Sequence, residues 1–532
     1  MTGRGAAYAL LALAVVLHAL LLWRMGAHQV DLDHDSTISY LAATGHQGEY
    51  ARLHLNAWTP ARAIQRLFQT DQAWPLRRIR DDLALTDIHP PLYFWMLHAQ
   101  LLASGAALWA FLVLNGLIGA LTMLTIYSIG RRLWDRESAA GAALLWSVCY
   151  GTLLTAGDAR PYALLALLSL LTVRLILSVR DRGGRPSFAQ AALLVIVMML
   201  GLLTHYHFPL VIVAVGVGLL CSGDRGSRWQ FVTLVPLVVL ALGGLALVHP
   251  GFVSSLQRQR LQTQPIAGDD LLARLKQFTL GLEGLARPAY ALTLLSWGCV
   301  LLLAWVAWRA YRSGAFGRLS GVWGRLRETS PGIRLIAWTA LAYAVVEGFL
   351  FVGHLSPAHA AGGRYNAALW PLLALLITGA VRALSPGRAT IPLLAIATAL
   401  LTWQTASELD ASQVRLVRSP AWQALTSARL VVADHDQRGL LPRCVLHVPA
   451  DALVCVVFDP AALDSLLPAH SVGGFPVTFL LSSEFGDPRM RQALESASLA
   501  GDSVVSKGYG PAGTEVLMWT PSGVRSGAEA GR

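Results

Sequence analysis

The 532 residues are 55% hydrophobic and only 14% charged, with a mean hydropathy of +0.51. This composition excludes an ordinary soluble protein, because the apolar runs approach the roughly 20 residues that span a bilayer. The formal net charge of +11 is also typical of nucleic-acid-binding proteins, but here the basic residues border apolar runs, as in cytoplasmic loops. The sequence therefore predicts a polytopic membrane protein that does not bind nucleic acid.

The apolar runs predict eleven transmembrane helices. The first is interpreted as a retained span rather than a signal peptide, because no small-residue cleavage site follows and Trp23 and Arg24 close the run. The predicted spans lie at 6–23, 107–130, 138–156, 161–178, 188–204, 207–221, 230–248, 289–308, 335–353, 367–383 and 389–406.

The short loops predict the orientation of these spans. Arginine-rich loops such as RRLWDRE, VRDRGGR and VRALSPGR are typical of the cytoplasmic side, which places the amino terminus there too. The long first loop, the loop at 249–288 and the carboxy-terminal segment then face the extracytoplasmic side. The loop at 249–288 is interpreted either as a mobile cover over a site or as a solvated loop.

The segment LYFWMLHAQLLA, which follows His89, Pro90 and Pro91, is about 12 residues long. At 1.5 Å per residue it is too short to cross a core of about 30 Å. We therefore predict an interfacial helix in the first outer loop. The alternative, a further span, would turn every later arginine-rich loop outward.

The first outer loop contains a predicted amphipathic helix at residues 35–44. Carboxylates at Asp31, Asp33 and Asp35 stand at its start, where negative charge stabilises a helix. Each aspartate is therefore either a helix cap or a functional carboxylate.

Two further outer turns contain polar residues at predicted helix ends. The turn TAGDARPY contains Asp158, Arg160 and Tyr162, which suit either a solvated cap or a phosphate site. The turn THYHF contains His205 and Tyr206. Contacts to a substrate are favoured over a zinc site there, because no carboxylate lies near the histidine pair in sequence.

The last outer turn reads GHLSPAHAAGGRYNAALWP. Gly362 and Gly363 allow the backbone to approach a ligand closely, and Arg364 and Tyr365 then open a helix. Glu347, inside the ninth span, is either a functional carboxylate at membrane depth or the partner of a neighbouring arginine or histidine.

No Walker loop or glycine-rich dinucleotide turn is present, so the sequence offers no nucleotide site. A transferase whose site faces outward needs an activated donor that is already held in the membrane. A polyprenyl-phosphate sugar meets that requirement.

The ordered motifs HPPLYF, GRRLW, DARPYAL, THYHF and RYNAALWP resemble the GT-C-fold glycosyltransferases that use lipid-phosphate sugars. That family includes the protein O-mannosyltransferases and the lipid A aminoarabinose transferase, and the resemblance covers residues 6–406. It implies Asp35 and Asp158 as catalytic carboxylates, although Ser36 stands where relatives usually have a glutamate. It also implies that His89, Arg160, Arg364 and Tyr365 hold the lipid phosphate. From their positions in the outer loops, Asp33, Tyr162, His205 and Tyr206 are further predicted substrate-binding residues.

The resemblance further implies a single inverting displacement in which a carboxylate takes the proton of an acceptor hydroxyl and cations stabilise the departing phosphate. The acceptor would be a lipid, glycan or protein, and the site would face outward from the bacterial inner membrane. No cofactor is required, with a divalent metal as the alternative. The alternative functions are a transporter or flippase for a lipid-linked sugar, and a non-catalytic polyprenyl-phosphate-binding member.

The sequence predicts two domains, a GT-C-like transmembrane domain at 1–406 and a small extracytoplasmic α/β domain at 407–532 with a disordered tail. The second contains a helix-like run, SPAWQALTSARL, and two β-like runs, CVLHVPA and ALVCVVF. Cys444 and Cys455 are either a disulfide or two free thiols. The other cysteines, which lie in apolar runs, are predicted to be inert buried thiols: Cys149, Cys221 and Cys299.

Overall fold

The computed structural model describes most of the chain up to residue 384 and shorter pieces beyond it. The described residues are 3–27, 29–54, 56–87, 89–222, 225–262, 330–352, 364–384, 391–392, 395–396, 399–400, 402–403, 407, 415–434, 440–457, 476–481, 491–492, 503–509 and 515–520.

Helices make up most of the described residues. In chain order they are α1 Gly3–Gly26, α2 His34–Thr44, α3 Gln47–Tyr50, α4 Ala61–Gln65, α5 Leu76–Thr86, α6 Leu92–Ser104, α7 Ala110–Leu133, α8 Arg136–Ser147, α9 Tyr150–Ala156, α10 Tyr162–Arg180, α11 Phe188–Leu202, α12 Phe208–Cys221, α13 Arg225–Val248, α14 Phe252–Gln262, α15 Pro331–Val352, α16 Trp370–Leu384, α17 Pro420–Thr426 and α18 Leu440–Val445.

The chain divides into two compact units. The helical unit comprises Met1–Ala27, Leu83–Met96 and Phe111–Glu408. The mixed unit comprises His28–Asp82, Leu97–Ala110 and Leu409–Arg532. The carboxy-terminal segment thus forms one unit with most of the first loop, a grouping that the sequence did not indicate.

Several described helices are apolar and long enough to be membrane spans. Five helical segments have both the length and the composition to cross a bilayer: Arg4–Gly26, Ala110–Leu133, Tyr162–Arg180, Gly226–Val248 and Pro331–Leu350. Three apolar helices are shorter, namely Phe188–Leu202, Phe208–Cys221 and Trp370–Arg382. The predicted span at 289–308 lies outside the described residues, and the one at 389–406 is described only in pieces. The total of eleven stays a prediction.

Close helix contacts in the helical unit use small residues, as is common between membrane helices. A Cβ atom added at Gly218 of α12 would clash with Oγ1 of Thr339 on α15. A larger side chain at this position would therefore force the two helices apart.

The predicted span at 138–156 is two helices rather than one. α8 ends at Ser147 and α9 begins at Tyr150, because Cys149 adopts an extended backbone conformation with φ −76° and ψ 150°. The hydroxyl of Thr152 donates to the carbonyl of Trp146 at 2.6 Å and so satisfies one acceptor freed by the break.

The predicted helix after Pro91 is present as α6, whose 13 residues agree with the length expected from sequence. Its interfacial position stays a prediction. The predicted outer loop at 249–288 contains α14, and its residues from 263 onward lie outside those described.

The mixed unit contains a six-stranded sheet with strand order β1-β3-β2-β4-β6-β5. β2 is parallel to both β3 and β4, whereas β1 is antiparallel to β3 and β6 is antiparallel to β4 and β5. The small α/β region expected from sequence is therefore present. Its strands are β1 Trp58–Pro60, β2 Leu430–Asp434, β3 Leu453–Val457, β4 Val477–Leu481, β5 Ser503–Tyr509 and β6 Glu515–Thr520.

The strand β1 comes from the first loop and forms one edge of this sheet. Trp58 pairs with Cys455 and Pro60 with Leu453. The backbone N–H of Asn56 also donates to the carbonyl of Val456 at 2.8 Å.

One predicted strand in this region is wrong. The run CVLHVPA was expected to be β-like, but Cys444 and Val445 end helix α18 and the following residues form a turn. The physical reason is topological, because β2 and β3 are parallel neighbours and the chain between them must cross over. The helix predicted at SPAWQALTSARL is confirmed as α17, with Ser419 as its N-cap, and ALVCVVF is confirmed as β3.

Cys444 and Cys455 are both buried free thiols, which selects one of the two alternatives left by the sequence. Cys149 is buried as predicted. Cys221 is exposed, so the expectation of a buried thiol is wrong there, because the residue ends α12 at the edge of the bundle. Cys299 and the predicted disordered tail lie outside the described residues.

Candidate active site

In the mixed unit, the start of α2 separates the roles of Asp33 and Asp35. Asp33 is the N-cap, and its Oδ1 accepts the backbone N–H of Ser36 at 2.9 Å. Asp35 lies in the first turn and is partly exposed. Since Asp33 occupies the cap position, Asp35 is not the cap. The helix is less amphipathic than predicted, because eight of its eleven residues are buried.

Asp31 does not belong to the start of this helix. Its carboxylate accepts hydrogen bonds from Nε of Arg443 at 2.6 Å and from Nη2 of the same guanidinium. Nε2 of His447 lies 3.2 Å from its other oxygen. Because the side chain of Asp31 is fully buried, these partners are what make its charge tolerable.

In the helical unit, His89 is held by a carboxylate that the sequence reasoning did not identify. Nδ1 of His89 lies 2.7 Å from Oδ1 of Asp87, and both side chains are buried. The ring also contacts Phe94 and His205 edge-on, with centroid separations of 6.3 and 5.5 Å. Because Nδ1 contacts Asp87, Nε2 is the ring nitrogen through which His89 would contact a ligand.

Arg364 and Asp158, which are 206 positions apart in sequence, form an ion pair. Nη1 of Arg364 lies 3.2 Å from Oδ2 of Asp158, and about a quarter of each side chain is exposed. The guanidinium also lies over the ring of Tyr162, with its carbon 5.8 Å from the ring centroid. Arg160, two residues from Asp158, is buried.

Asn115 connects the segment after His89 to the turn that contains Asp158. Its Nδ2 donates to the carbonyls of Ala156 and Asp158 at 3.0 and 2.8 Å, and its Oδ1 accepts the hydroxyl proton of Tyr93 at 3.2 Å. The asparagine is fully buried on α7. It therefore fixes the position of the DARPY turn relative to the start of α6.

His205 and His207 lie in the turn between α11 and α12. Nδ1 of His205 accepts the backbone N–H of His207 at 3.0 Å and lies 3.2 Å from Nδ1 of the same residue. Nε2 of His207 lies 3.5 Å from Oε2 of Glu347 on α15. Burial lowers the pKa of His205 well below its ordinary value, and the charges of His207, His89 and Arg160 lower it further.

Aromatic rings surround this histidine pair. His205 contacts the rings of Tyr162 and Tyr365 at 5.3 and 5.9 Å, and His207 contacts Tyr365 at 4.8 Å. The carbonyl of Tyr365 in turn accepts the hydroxyl of Tyr343 at 2.8 Å. The residues predicted at three separate outer turns are thus brought together in one cluster.

Tyr206, the remaining predicted substrate residue of this turn, faces elsewhere. Its hydroxyl lies 3.2 Å from Nε2 of His249. Among the residues that the structure describes, no group of three or more His, Cys, Asp or Glu side chains is arranged to hold a metal ion. Gly362 and Gly363 lie outside the described residues.

The helical unit therefore offers one cluster suited to an anion. Arginine donates in a fixed fork that matches phosphate, and neutral histidine and tyrosine add single donors. Sequence reasoning missed Asp87, Asn115 and His207 as members. Of these, His207 stood inside the motif THYHF, but only the spatial contacts distinguish the three from residues without a role in the cluster.

Comparison with known proteins supports a general class. Residues 88–253, less than half of the chain, match the family model described as dolichyl-phosphate-mannose-protein mannosyltransferase. This segment contains the turns with His89, Asp158 and His205. None of the curated proteins matches the chain in sequence.

Among solved structures, the chain is similar to ArnT from Cupriavidus metallidurans in the apo state, with a TM-score of 0.54 and 13% identity over 99% of this chain and 100% of that one. ArnT from the same organism bound to undecaprenyl phosphate gives a TM-score of 0.49 with 14% identity, covering 98% and 99% of the two chains. The archaeal oligosaccharyltransferase AglB from Archaeoglobus fulgidus, in complex with an inhibitory peptide and a dolichol-phosphate, gives 0.46 with 13% identity, covering 96% and 74%.

The similarity to apo ArnT shows a shared fold. The family match over residues 88–253 and this shared fold support the resemblance to GT-C-fold glycosyltransferases found in the sequence.

Proposed function

We propose that the protein transfers a sugar from a polyprenyl-phosphate donor to an acceptor hydroxyl, with inversion, on the extracytoplasmic side of the bacterial inner membrane. The observation that carries this proposal is the clustering of His205, Tyr162, Tyr365 and Arg364 from three separate turns. The description of the matched family, which names a dolichyl-phosphate-linked sugar, supports the same donor class.

Arg364 is suited to hold the donor phosphate while it keeps its carboxylate partner. A guanidinium has five N–H donors, and Nη1 of Arg364 donates to Oδ2 of Asp158. The ring of Tyr162 under the guanidinium restricts its plane and so orients these donors.

The leaving group explains why cations and donors are needed. When the anomeric bond breaks, the phosphodiester becomes a monoester and gains one negative charge. Arg160, Arg364 and the histidine cluster would stabilise that charge in an environment from which most water is excluded.

Asp35 is our candidate for the base that accepts the proton of the acceptor hydroxyl. Its carboxylate is partly exposed and is not the N-cap of α2. Asp158 is neutralised by Arg364, so we assign it to orienting that guanidinium and the acceptor rather than to proton removal. Asp33 already serves as a cap, and its contact with a substrate stays a prediction.

A non-catalytic protein that binds polyprenyl phosphate is the second candidate. It is favoured by Ser36, which stands where the relatives usually have a glutamate, and Ser36 is buried. Such a protein would bind the donor in the same way and release no sugar.

The experiment uses the purified full-length protein in detergent with farnesyl-phosphate mannose labelled in the sugar. The proposal predicts release of labelled mannose to an added hydroxyl acceptor or to water, and loss of this release in Arg364→Ala. Binding without release, repeated with a panel of other farnesyl-phosphate sugars, would support the second candidate instead. In proteoliposomes, movement of intact donor across the bilayer would identify a flippase.

A further inference from the structure

The hydrogen bonds of His205 define where its proton resides. Its Nδ1 accepts the backbone N–H of His207, so a neutral His205 carries its proton on Nε2. The same Nδ1 lies 3.2 Å from Nδ1 of His207. Two acceptors cannot share that contact, so His207 must carry a proton on its own Nδ1 and donate it to His205.

The opposite side of His207 faces a carboxylate. Its Nε2 lies 3.5 Å from Oε2 of Glu347, and the two side chains are 6% and 3% exposed. A buried carboxylate requires a positive partner or a proton of its own. Oε2 makes no hydrogen bond to a described residue in this geometry, so the proton that the pair requires resides on one of the two groups and passes between them only when this separation shortens.

The far end of this line of residues, Nε2 of His205, has no partner among the residues that the structure describes. Within the described part of the chain, Nε2 of His205 makes no hydrogen bond, although the side chain is only 3% exposed. A buried N–H without an acceptor costs free energy, so its persistence indicates that a ligand accepts it. The rings that border His205 belong to His89, Tyr162 and Tyr365.

Glu347, His207 and His205 therefore lie in one line, with a hydrogen bond between the two histidines and a 3.5 Å ion-pair contact between His207 and Glu347. We propose that Glu347, His207 and His205 are a buried proton relay that protonates the phosphate of the departing lipid during sugar transfer. The relay deepens the function proposed above and rests on it, because it requires a polyprenyl phosphate at Nε2 of His205.

The proton balance of the step is closed. As the bond between the anomeric carbon and the phosphate oxygen breaks, the electron pair goes to that phosphate, which takes the proton from Nε2 of His205. His205 receives the proton of His207 on Nδ1, and His207 retains the proton of its pair with Glu347. The acceptor hydroxyl loses its own proton to the base, so one proton enters and one leaves the substrates. The 3.5 Å contact shortens when the relay operates, as catalytic contacts commonly do in a substrate complex.

The charged and titratable groups that face the relay come from several elements. Around His205 they are His89, Arg160, Tyr162, His207 and Tyr365. Around Glu347 they also include Tyr343. None of these lies between two consecutive members of the relay, so a substitution within the relay tests it directly.

The test uses farnesyl phosphate, a lipid monophosphate, bound to the full-length protein in detergent and observed by phosphorus NMR. At pH 7.5 the free probe is mostly a dianion, because its second pKa is about 6. The relay predicts that the bound probe is a monoanion at this pH in the wild-type protein. In Glu347→Gln, which keeps the shape and removes the proton of the pair, the bound probe should return to the dianion.

A second variant distinguishes loss of the relay from a folding defect. His205→Gln places an amide N–H near the position of Nε2, so it should bind farnesyl phosphate within about threefold of wild type but leave it a dianion. The matched controls are Glu137→Gln, at the start of α8, and His54→Gln, at an exposed position; both should behave as wild type.

The outcomes separate the relay from the proposed function. A monoanion in the wild type that becomes a dianion in His205→Gln supports the relay. A bound dianion in the wild type overturns the relay and leaves the donor site intact. Failure of the wild type to bind farnesyl phosphate at all, together with no sugar release, overturns the proposed function and the relay with it.

Discussion

Nδ1 of His89 lies 2.7 Å from Oδ1 of Asp87, and the two side chains are buried together at the start of the segment that leads into α6. The carboxylate fixes the ring tautomer and its plane, so Nε2 of His89 has one direction in which to act. His89 is thus an oriented ring with its own carboxylate.

Removal of this carboxylate should reduce stability in a graded way. Asp87→Ala leaves a buried ring N–H without its acceptor, which costs about 1–3 kcal/mol of unfolding free energy. Asp87→Asn keeps an acceptor oxygen, so it should cost less than half as much. The melting temperature in detergent measures both. Melting temperatures equal to wild type for both variants would mean that the contact does not matter for folding.

Arg364→Ala should weaken binding of the lipid donor more than binding of the acceptor. A charge-assisted contact to phosphate is worth about 1.5–3 kcal/mol, so the affinity for farnesyl phosphate should fall by about 10-fold to 100-fold. Arg364→Lys should recover only part of this loss, because a point charge replaces the fork.

Since Arg364 also neutralises Asp158, the control for this experiment is the double variant Arg364→Ala with Asp158→Asn. It also removes the negative charge of Asp158, which Arg364 no longer balances, and should bind farnesyl phosphate better than Arg364→Ala alone. An unchanged affinity in the single variant would exclude Arg364 from the donor site.

Asp35 and Asp33 should respond differently to the same substitution. Asp35→Asn should fold and bind farnesyl phosphate but transfer sugar at least about 100-fold more slowly, because an amide cannot accept the proton. Asp33→Asn should change the rate of sugar transfer very little, since Asn is as good an N-cap as Asp. Turnover of Asp35→Asn within a few fold of wild type would transfer the base role to another carboxylate, with Asp158 first.

The histidine turn should make stability dependent on pH. Burial lowers the pKa of His205 in the folded protein. As the pH falls through about 6.5, His205 therefore becomes protonated in the unfolded chain but stays neutral in the folded protein. Stability is therefore complete above about pH 6.5 and falls as the pH drops below it. Between pH 7.5 and 5.5, wild type should lose about 1 kcal/mol more than His205→Gln. His54→Gln, which changes an exposed histidine, should retain the wild-type slope in thermal unfolding.

The two thiols of the mixed unit should be reduced and unreactive. Burial raises the pKa of Cys455 to about 11, and only the thiolate reacts with alkylating reagents. Cys444 and Cys455 should therefore escape iodoacetamide at pH 8 in the native protein and react in denaturant without added reductant. A disulfide would instead require reductant before either could be labelled.

Helix lengths and local motifs were predictable from the sequence. The extent of α2, the shortness of α6 and the cap at Ser419 follow from apolar runs and from residues within a few positions of each other. The break before Tyr150 was not predictable, because its apolar flanks read as a single span.

Contacts between segments that are distant along the chain could not be predicted from the sequence. The motif DARPY predicted a functional turn, but nothing local indicates that Asp158 meets Arg364 or that Asn115 anchors the turn. Likewise, Glu347 was left with an unnamed arginine or histidine, and only the structure identifies His207 as its partner. Side-chain partners of this kind depend on helix packing, which a single sequence does not reveal.

The pairing of β1 with β3 has a consequence for biosynthesis. Trp58 leaves the ribosome early, whereas its partner Cys455 is made only after every helix of the helical unit has been translated. The edge of this sheet is consequently among the last parts of the protein to form, since such distant pairing is slow. Until β3 has been synthesised, the first loop has no strand to pair with and is accessible to chaperones and proteases. If translation stops before residue 453, β1 never pairs.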